Sequence, residues 1–220
     1  HCISSAASDV YKRQINIPPM GIKYLVSFIV GLLSSIIDAR PVSYPGGITV
    51  MGFSDNMKDS IYVHYSPTHY YSLGLETKKD KYSDSDYSYL RFTYLLDRKN
   101  TQHSQRNFYF QSGVSPDKAS NHFIGFHGDW ETRRLYAGFS YKNAKVSSQS
   151  YSDRFVQLGI APYLGEYGDI HTWIMMKAKK NTLDNDWSVY PMLKLFKGDF
   201  LLEVGYNNKT KLDAHLMYRF

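Results

Sequence analysis

The last ten residues of the chain, 211–220, alternate without a break between apolar and polar side chains and end on an aromatic residue. Successive side chains of an extended strand point to opposite faces. One face of this strand therefore carries Leu212, Ala214, Leu216, Tyr218 and Phe220. The other face carries Lys211, Asp213, His215, Met217 and Arg219. A water-soluble sheet rarely ends a strand on an exposed phenylalanine, so we expect something other than water to cover the apolar face.

This ending resembles the C-terminal signal of bacterial outer-membrane β-barrels, which barrel-assembly machinery recognises. The resemblance implies that Leu212, Ala214, Leu216, Tyr218 and Phe220 form the assembly signal and face outer-membrane lipid. It also implies barrel-assembly machinery and periplasmic chaperones as partners during biogenesis. The oligomeric state stays open.

The first 39 residues are expected to lie outside the folded domain. Residues 1–19 read as adapter sequence upstream of the native start at Met20, and we exclude them from the fold. Lys23 and the run 24–37, which only serine and glycine interrupt, predict a signal peptide over 20–39 with cleavage after Ala39. The run is short of the roughly 20 residues that a membrane-spanning helix needs. A buried N-terminal helix is the alternative.

Composition agrees with an exported barrel over 45–220. The single cysteine, Cys2, lies in the excluded prefix, so the domain has no disulfide and no thiolate metal site. Residues 1–39 hold three basic and two acidic residues, so the net charge falls only from +6 to +5 without them. This charge forms no basic block, which argues against nucleic acid as a partner. Aromatic residues make up 16% of the chain, a share that suits membrane-interface belts and antiparallel sheet alike.

Period-two alternation recurs in about twelve segments and predicts an all-β fold. The predicted strands are 48–54, 60–66, 70–78, 86–96, 106–114, 121–130, 134–142, 154–164, 171–179, 187–196, 200–207 and 211–220. An even count would bring the last strand beside the first and remove the free edges of the sheet. We therefore predict an antiparallel transmembrane β-barrel of about twelve strands, with ten as the count if two segments are wrongly assigned. The alternative fold is an exported β-sandwich.

The predicted links give a second test of the barrel. Tight links tend to follow even-numbered strands, as periplasmic turns do, and longer polar links such as 143–153 follow odd-numbered ones. Two links depart from this pattern: 97–105 is too long, and 208–210 is too short.

If the apolar faces meet lipid, the opposite faces line the lumen. The predicted lumen charges are Glu76, Arg91, Asp129, Lys177, Lys194, Glu203, Asp213 and Arg219. Both signs occur, which indicates no simple anion- or cation-selective field. We expect cross-lumen pairs to fill a twelve-stranded barrel and favour a narrow or plugged lumen over an open pore.

Histidine and methionine recur on the same inward face. The set is Met51, His64, His127, Met175, Met192, His215 and Met217. Thioether and imidazole groups are ligands that copper accepts without thiols, so copper handling is one alternative. Methionine is also a common gap filler in packed interiors. The segments 44–51 and 64–68 resemble an uncharacterised exported bacterial family loosely associated with copper-resistance gene neighbourhoods. That resemblance implies no particular binding residue.

A barrel-embedded hydrolase is a further alternative. His64 and Ser66 share a face at a spacing of two, as do His127 and Asp129. No nucleophile elbow, phosphate loop or His-Glu-x-x-His run occurs, and a His beside an Asp is more often a structural pair. We therefore predict a non-enzymatic outer-membrane barrel without a cofactor, for passage or binding of small solutes or for envelope maintenance.

Overall fold

Twelve antiparallel strands close on themselves in the computed structural model, which describes residues 41–220 except 83, 167, 185 and 210. The predicted adapter, signal peptide and cleavage at Ala39 lie outside the described residues. No helix in the described part of the chain is long and apolar enough to cross a membrane.

The strands follow the predicted segments closely. They are β1 (Gly47–Ser54), β2 (Lys58–Ser66), β3 (Tyr71–Asp80), β4 (Ser85–Asn100), β5 (Ser104–Val114), β6 (His122–Thr132), β7 (Leu135–Val146), β8 (Gln149–Ile160), β9 (His171–Asn181), β10 (Trp187–Lys197), β11 (Phe200–Asn207) and β12 (Lys211–Arg219).

Each strand pairs with its neighbours in the sequence, and β12 pairs with β1 to complete the ring. The closing register runs from Thr49 opposite Arg219 to Ser54 opposite Ala214. Closure leaves no edge strand, which removes the usual site of unwanted pairing. The prediction of a closed antiparallel barrel is confirmed with twelve strands rather than ten, and the sandwich alternative is wrong.

The two ends of the barrel are defined by the chain direction. The near end holds residues 41–46, Phe220 and the links 67–70, 101–103, 133–134, 161–170 and 198–199. The far end holds the links 55–57, 81–84, 115–121, 147–148, 182–186 and 208–210. The predicted contrast between tight and long links is wrong. The segment 143–153 is mostly strand, and the longest link, 161–170, lies at the near end.

Local geometry explains why 143–153 and 97–105, both predicted as links, are mostly strand. Ser147 adopts a positive φ of 55°, which lets a two-residue turn join β7 to β8. In β4, a register shift between Leu95 and Asp97 marks a bulge, and pairing then continues to Asn100 opposite Gln105. The sequence did not predict these strand extensions, because the added residues are polar and lie beyond the apolar stretch of each hairpin.

The alternation seen in the sequence sorts side chains between two surfaces. Inward residues such as Tyr109 and Met217 are fully buried, whereas outward residues such as Ile61 and Leu158 are about 60% exposed. The outward face carries large apolar side chains on every strand from β1 to β12. A soluble protein seldom exposes so much contiguous apolar surface. This exterior is typical of a barrel embedded in lipid.

Candidate functional site: a packed, charged lumen

The structure places the eight predicted lumen charges on the inward face. Seven are buried and Glu203 is half-buried: Glu76, Arg91, Asp129, Lys177, Lys194, Glu203, Asp213 and Arg219. Their strands present them inward because each occupies the parity opposite to the lipid-facing apolar residues. The inward position follows from the alternation alone, whereas the partner of each charge does not.

Neighbouring charges of opposite sign pair inside the middle of the barrel. The Arg91 guanidinium donates to Glu76 at 3.1 Å, and the Lys177 ammonium donates to Asp213 at 2.8 Å. Lys194 lies 3.6 Å from Glu203. Buried charges persist only when paired and hydrogen-bonded, so these contacts compensate for the loss of hydration.

Aromatic rings pack around the same cations. Arg91 lies 4.0 Å from the ring centre of Tyr62, and Lys194 lies 4.2 Å from that of Tyr136. The Tyr190 hydroxyl donates to Asp213, which therefore serves two donors. Rings and ion pairs together fill the space between opposite strands, as a twelve-stranded barrel of long side chains allows.

At the far end, two ion pairs cross the lumen. Lys58 donates to Asp153 at 3.1 Å, and Lys179 donates to Asp55 at 2.5 Å. Lys58 begins β2 and Asp153 lies on β8, six strands away in either direction around the ring. The first pair therefore joins opposite walls of the barrel.

These far-end pairs were not predicted, for a simple reason. The predicted strands begin at 60 and 154 and end at 54, which leaves Lys58, Asp153 and Asp55 in links. Continuing the alternation outward by one step from Ser60 and Phe155 places Lys58 and Asp153 on the inward face. That continuation is the signal that could have identified the two residues.

Asp55 lies in the turn after β1, and neighbouring lysines stabilise its ionised form. Burial opposes ionisation of this carboxyl group. The ammonium groups of Lys58 and Lys179 outweigh burial and lower the pKa of Asp55 from 3.8 to about 2. One carboxylate oxygen also accepts the backbone N–H groups of Met57 and Lys58, each at 2.8 Å. The same side chain thus forms the turn and anchors Lys179.

Residues preceding β1 cover the near end. Val42 is buried against Leu95 and Tyr109, both of which point into the lumen. The backbone N–H of Ser43 donates to the Ser66 hydroxyl at 3.0 Å, and the Ser72 hydroxyl donates to the carbonyl of Pro41 at 2.9 Å. Ion pairs cross the far end and this segment packs over the near end, so side chains narrow the lumen at both ends.

The methionine and histidine set faces inward but is divided among separate clusters. Met51 lies opposite Met217, beside Tyr62 and Leu201. Met175 lies opposite Met192, beside Tyr136 and Tyr190. Both methionine pairs sit within aromatic packing, as gap fillers do.

The three histidines of the set have other neighbours. His64 stacks on Tyr62, and His127 lies 6.0 Å from the ring of Tyr109. His215 stacks on Phe53 and lies 3.1 Å from Glu203. No group of three or more His, Asp or Glu in the described residues is arranged to hold a metal. Copper handling stays a prediction.

Neither candidate catalytic pair forms a proton-transfer contact. Both ring nitrogens of His64 lack a hydrogen-bond partner among the described residues, and the Ser66 hydroxyl accepts from Ser43. His127 lies 3.9 Å from Asp129, which accepts a closer bond of 2.6 Å from Asn107. Both pairs lie within the packed lumen rather than on an exposed rim.

The proposed assembly signal lies on the outer surface of β12. Leu212, Leu216, Tyr218 and Phe220 are between 43% and 65% exposed, and Ala214 is half-buried. These side chains are therefore not part of a packed protein interior.

The solved structures to which the chain is similar include two porin structures. The chain is similar to a "KdgM porin in complex with disordered oligogalacturonate", with 15% identity and a TM-score of 0.49 over 79% of this chain and 99% of that one. A second "KdgM porin" structure gives 15% identity and a TM-score of 0.48 over the same shares. No protein-family model matches the chain, and no curated protein matches it. The resemblance to a copper-associated exported family thus finds no support among them.

Proposed function

We propose that this chain is a bacterial outer-membrane β-barrel, without enzymatic activity, whose lumen is closed at rest and admits small solutes only when its side chains rearrange. The lipid-facing exterior supports the membrane location, because large apolar side chains cover the outward faces of a closed sheet. Outer-membrane lipid would then be the permanent partner, with barrel-assembly machinery and periplasmic chaperones acting during biogenesis.

The observation that carries the closed state is the Lys58–Asp153 ion pair between opposite walls. An open pore would leave its lining side chains hydrated, whereas here inward residues such as Tyr109, Met217 and Lys194 are almost fully buried. Solutes could therefore pass only after ion pairs separate. Such separation is an infrequent event, since each unpaired buried charge is costly.

Single-channel recording in planar bilayers tests this proposal. We expect the wild-type protein to show at most rare, brief openings. The double variant Lys58→Ser/Asp153→Ser removes the cross-lumen pair without leaving either charge unpaired, so its openings should be at least tenfold more frequent. Lys145→Ser is the matched control, because Lys145 is an exposed residue at the far end of β7.

Two results would contradict the proposal in different ways. A steady wild-type conductance would show that the lumen is open. A silent double variant that inserts normally would favour a purely structural role in the envelope. Heat-modifiable gel migration of membrane-extracted protein checks insertion, because a folded barrel migrates differently before and after boiling.

A further inference from the structure

A small cavity lies inside the far end of the barrel, next to the cross-lumen ion pairs. Its lining includes three lysines, two carboxylates and aromatic rings: Lys58, Lys78, Lys142, Glu76, Asp153 and Phe123. The lysines come from β2, β3 and β7, and the register of the sheet directs all three inward.

The carboxylates of this cavity already have cationic partners. Asp153 accepts from Lys58 at 3.1 Å, and Glu76 accepts from Arg91 at 3.1 Å. Of the five charged residues in the lining, these pairs account for Lys58, Glu76 and Asp153, while Arg91 lies outside the lining. Lys78 and Lys142 form neither pair.

The direct contacts of Lys78 and Lys142 with the described residues are to neutral groups. The Lys78 ammonium donates to the Tyr151 hydroxyl at 3.0 Å, and the Lys142 ammonium lies 4.5 Å from the ring centre of Phe123. Neither forms an ion pair with a described carboxylate. Glu76 and Asp153 are near enough to attract Lys142, but a buried or half-buried ammonium group without a direct ion pair is still unfavourable in a low-dielectric interior.

We propose that this cavity binds a small inorganic anion of chloride size between the Lys78 and Lys142 ammonium groups. Ammonium groups supply several hydrogen-bond donors and no acceptor, which suits an anion. The surrounding rings of Tyr89, Phe123 and Tyr151 leave room for a small ion rather than a large solute. The inference requires only the packed far end, so it holds whether or not the barrel conducts.

The test compares stability in chloride and in gluconate at equal ionic strength, using the full chain folded in detergent. Gluconate is too bulky for the cavity. We expect the unfolding temperature of the wild type to rise saturably with chloride, by several degrees, because a ligand that binds only the folded state stabilises it. Lys142→Met should abolish that rise. It should also be at least as stable as the wild type in gluconate, because it removes a buried charge.

Controls keep the outcome specific. Lys145→Met, three residues further along the same strand and exposed, should retain the full chloride response. If Lys142→Met fails to fold, Lys78→Met replaces it, with the same expected loss. Crystals soaked in bromide should show an anomalous peak within hydrogen-bond distance of both ammonium groups.

A wild type indifferent to chloride would overturn the proposal, and would indicate that one lysine is uncharged in the folded barrel. An undiminished chloride response in both Lys142→Met and Lys78→Met would overturn it as well, by placing the anion elsewhere.

Discussion

Glycine is required at position 74 because β2 and β3 approach closely there. A Cβ atom at this position would lie 2.2 Å from the carbonyl oxygen of Val63 and 2.7 Å from the Cα atom of His64. Both are backbone atoms, which cannot move aside as the end of a flexible side chain can. The lumen can hold the large His64 ring on β2 only because its neighbour on β3 has no side chain.

Gly74→Ala should therefore destabilise the barrel by about 2 kcal/mol or more, since overpacking costs roughly 1–3 kcal/mol. Gly52→Ala is the matched control, because a Cβ at Gly52 meets nothing within 4 Å. Urea unfolding of both variants in detergent measures the difference. Equal stability of the two would show that β2 and β3 separate easily at this point.

At the residue scale, the sequence predicts the direction of side chains better than their contacts. Strict alternation around Lys177 and Lys194 is enough to place both inward, because parity is a local property. Pairing is not local, since Lys177 meets Asp213 from three strands away. The hydrogen bond that Ser66 accepts likewise comes from Ser43, which the sequence leaves outside the barrel strands.

At the element scale, the carboxylate of Asp55 both shapes the turn 55–57 and forms an ion pair. Asp55 forms the turn of the first hairpin by accepting two backbone N–H groups, and it also pairs with Lys179 of β9 across the lumen. Its pKa is lowered from 3.8 to about 2 in the folded protein, because nearby Lys58 and Lys179 outweigh burial. The stability that this carboxylate contributes is therefore complete above pH 3.8 and is lost as the pH falls towards 2.

Asp55→Asn should lower the unfolding free energy near neutral pH by on the order of 2 kcal/mol. The deficit relative to the wild type should shrink between pH 4 and pH 2. Asp97→Asn, which removes an exposed ion pair with Arg106, should change stability by less than about 1 kcal/mol. Unfolding curves at a series of pH values measure the difference in unfolding free energy between Asp55→Asn and the wild type. A difference that is constant with pH would contradict the role of the Asp55 charge.

Strands were more predictable than the links between them. All twelve predicted segments are strands, because alternation over seven or more residues is a strong signal. Their ends were wrong where polar residues continue a hairpin past the apolar belt, as at the start of β8. The short turn before β8 depends on a positive φ at Ser147, and the extension of β4 depends on the bulge near Leu95. Neither feature can be predicted from the presence of a serine or a leucine.

At the scale of the whole molecule, side chains narrow the lumen at both ends by unrelated means. Ion pairs cross the far end, and Val42 packs between Leu95 and Tyr109 at the near end.

Val42→Ser should weaken the near-end closure without opening the far end. Added to Lys58→Ser/Asp153→Ser, it should raise the frequency of single-channel openings further, whereas alone it should leave the barrel almost silent. A conducting Val42→Ser variant would show that the far end does not limit passage.

Closure itself was predictable from the even strand count and from the apolar last strand, because a free edge beside lipid would leave backbone groups without partners. The covering of the near end was not predictable. Residues 41–44 carry no alternation, and the burial of Val42 depends on inward side chains from β4 and β5.

The seam between β1 and β12 sets the order of folding. Tyr44 and Phe220 are hydrogen-bonded across it, although 176 positions separate them along the chain. Because β12 is the second partner of β1, the barrel cannot close until all the hairpins between the two strands have been synthesised. The entropy of joining such distant segments opposes closure, and both seam strands need protection from aggregation until they pair.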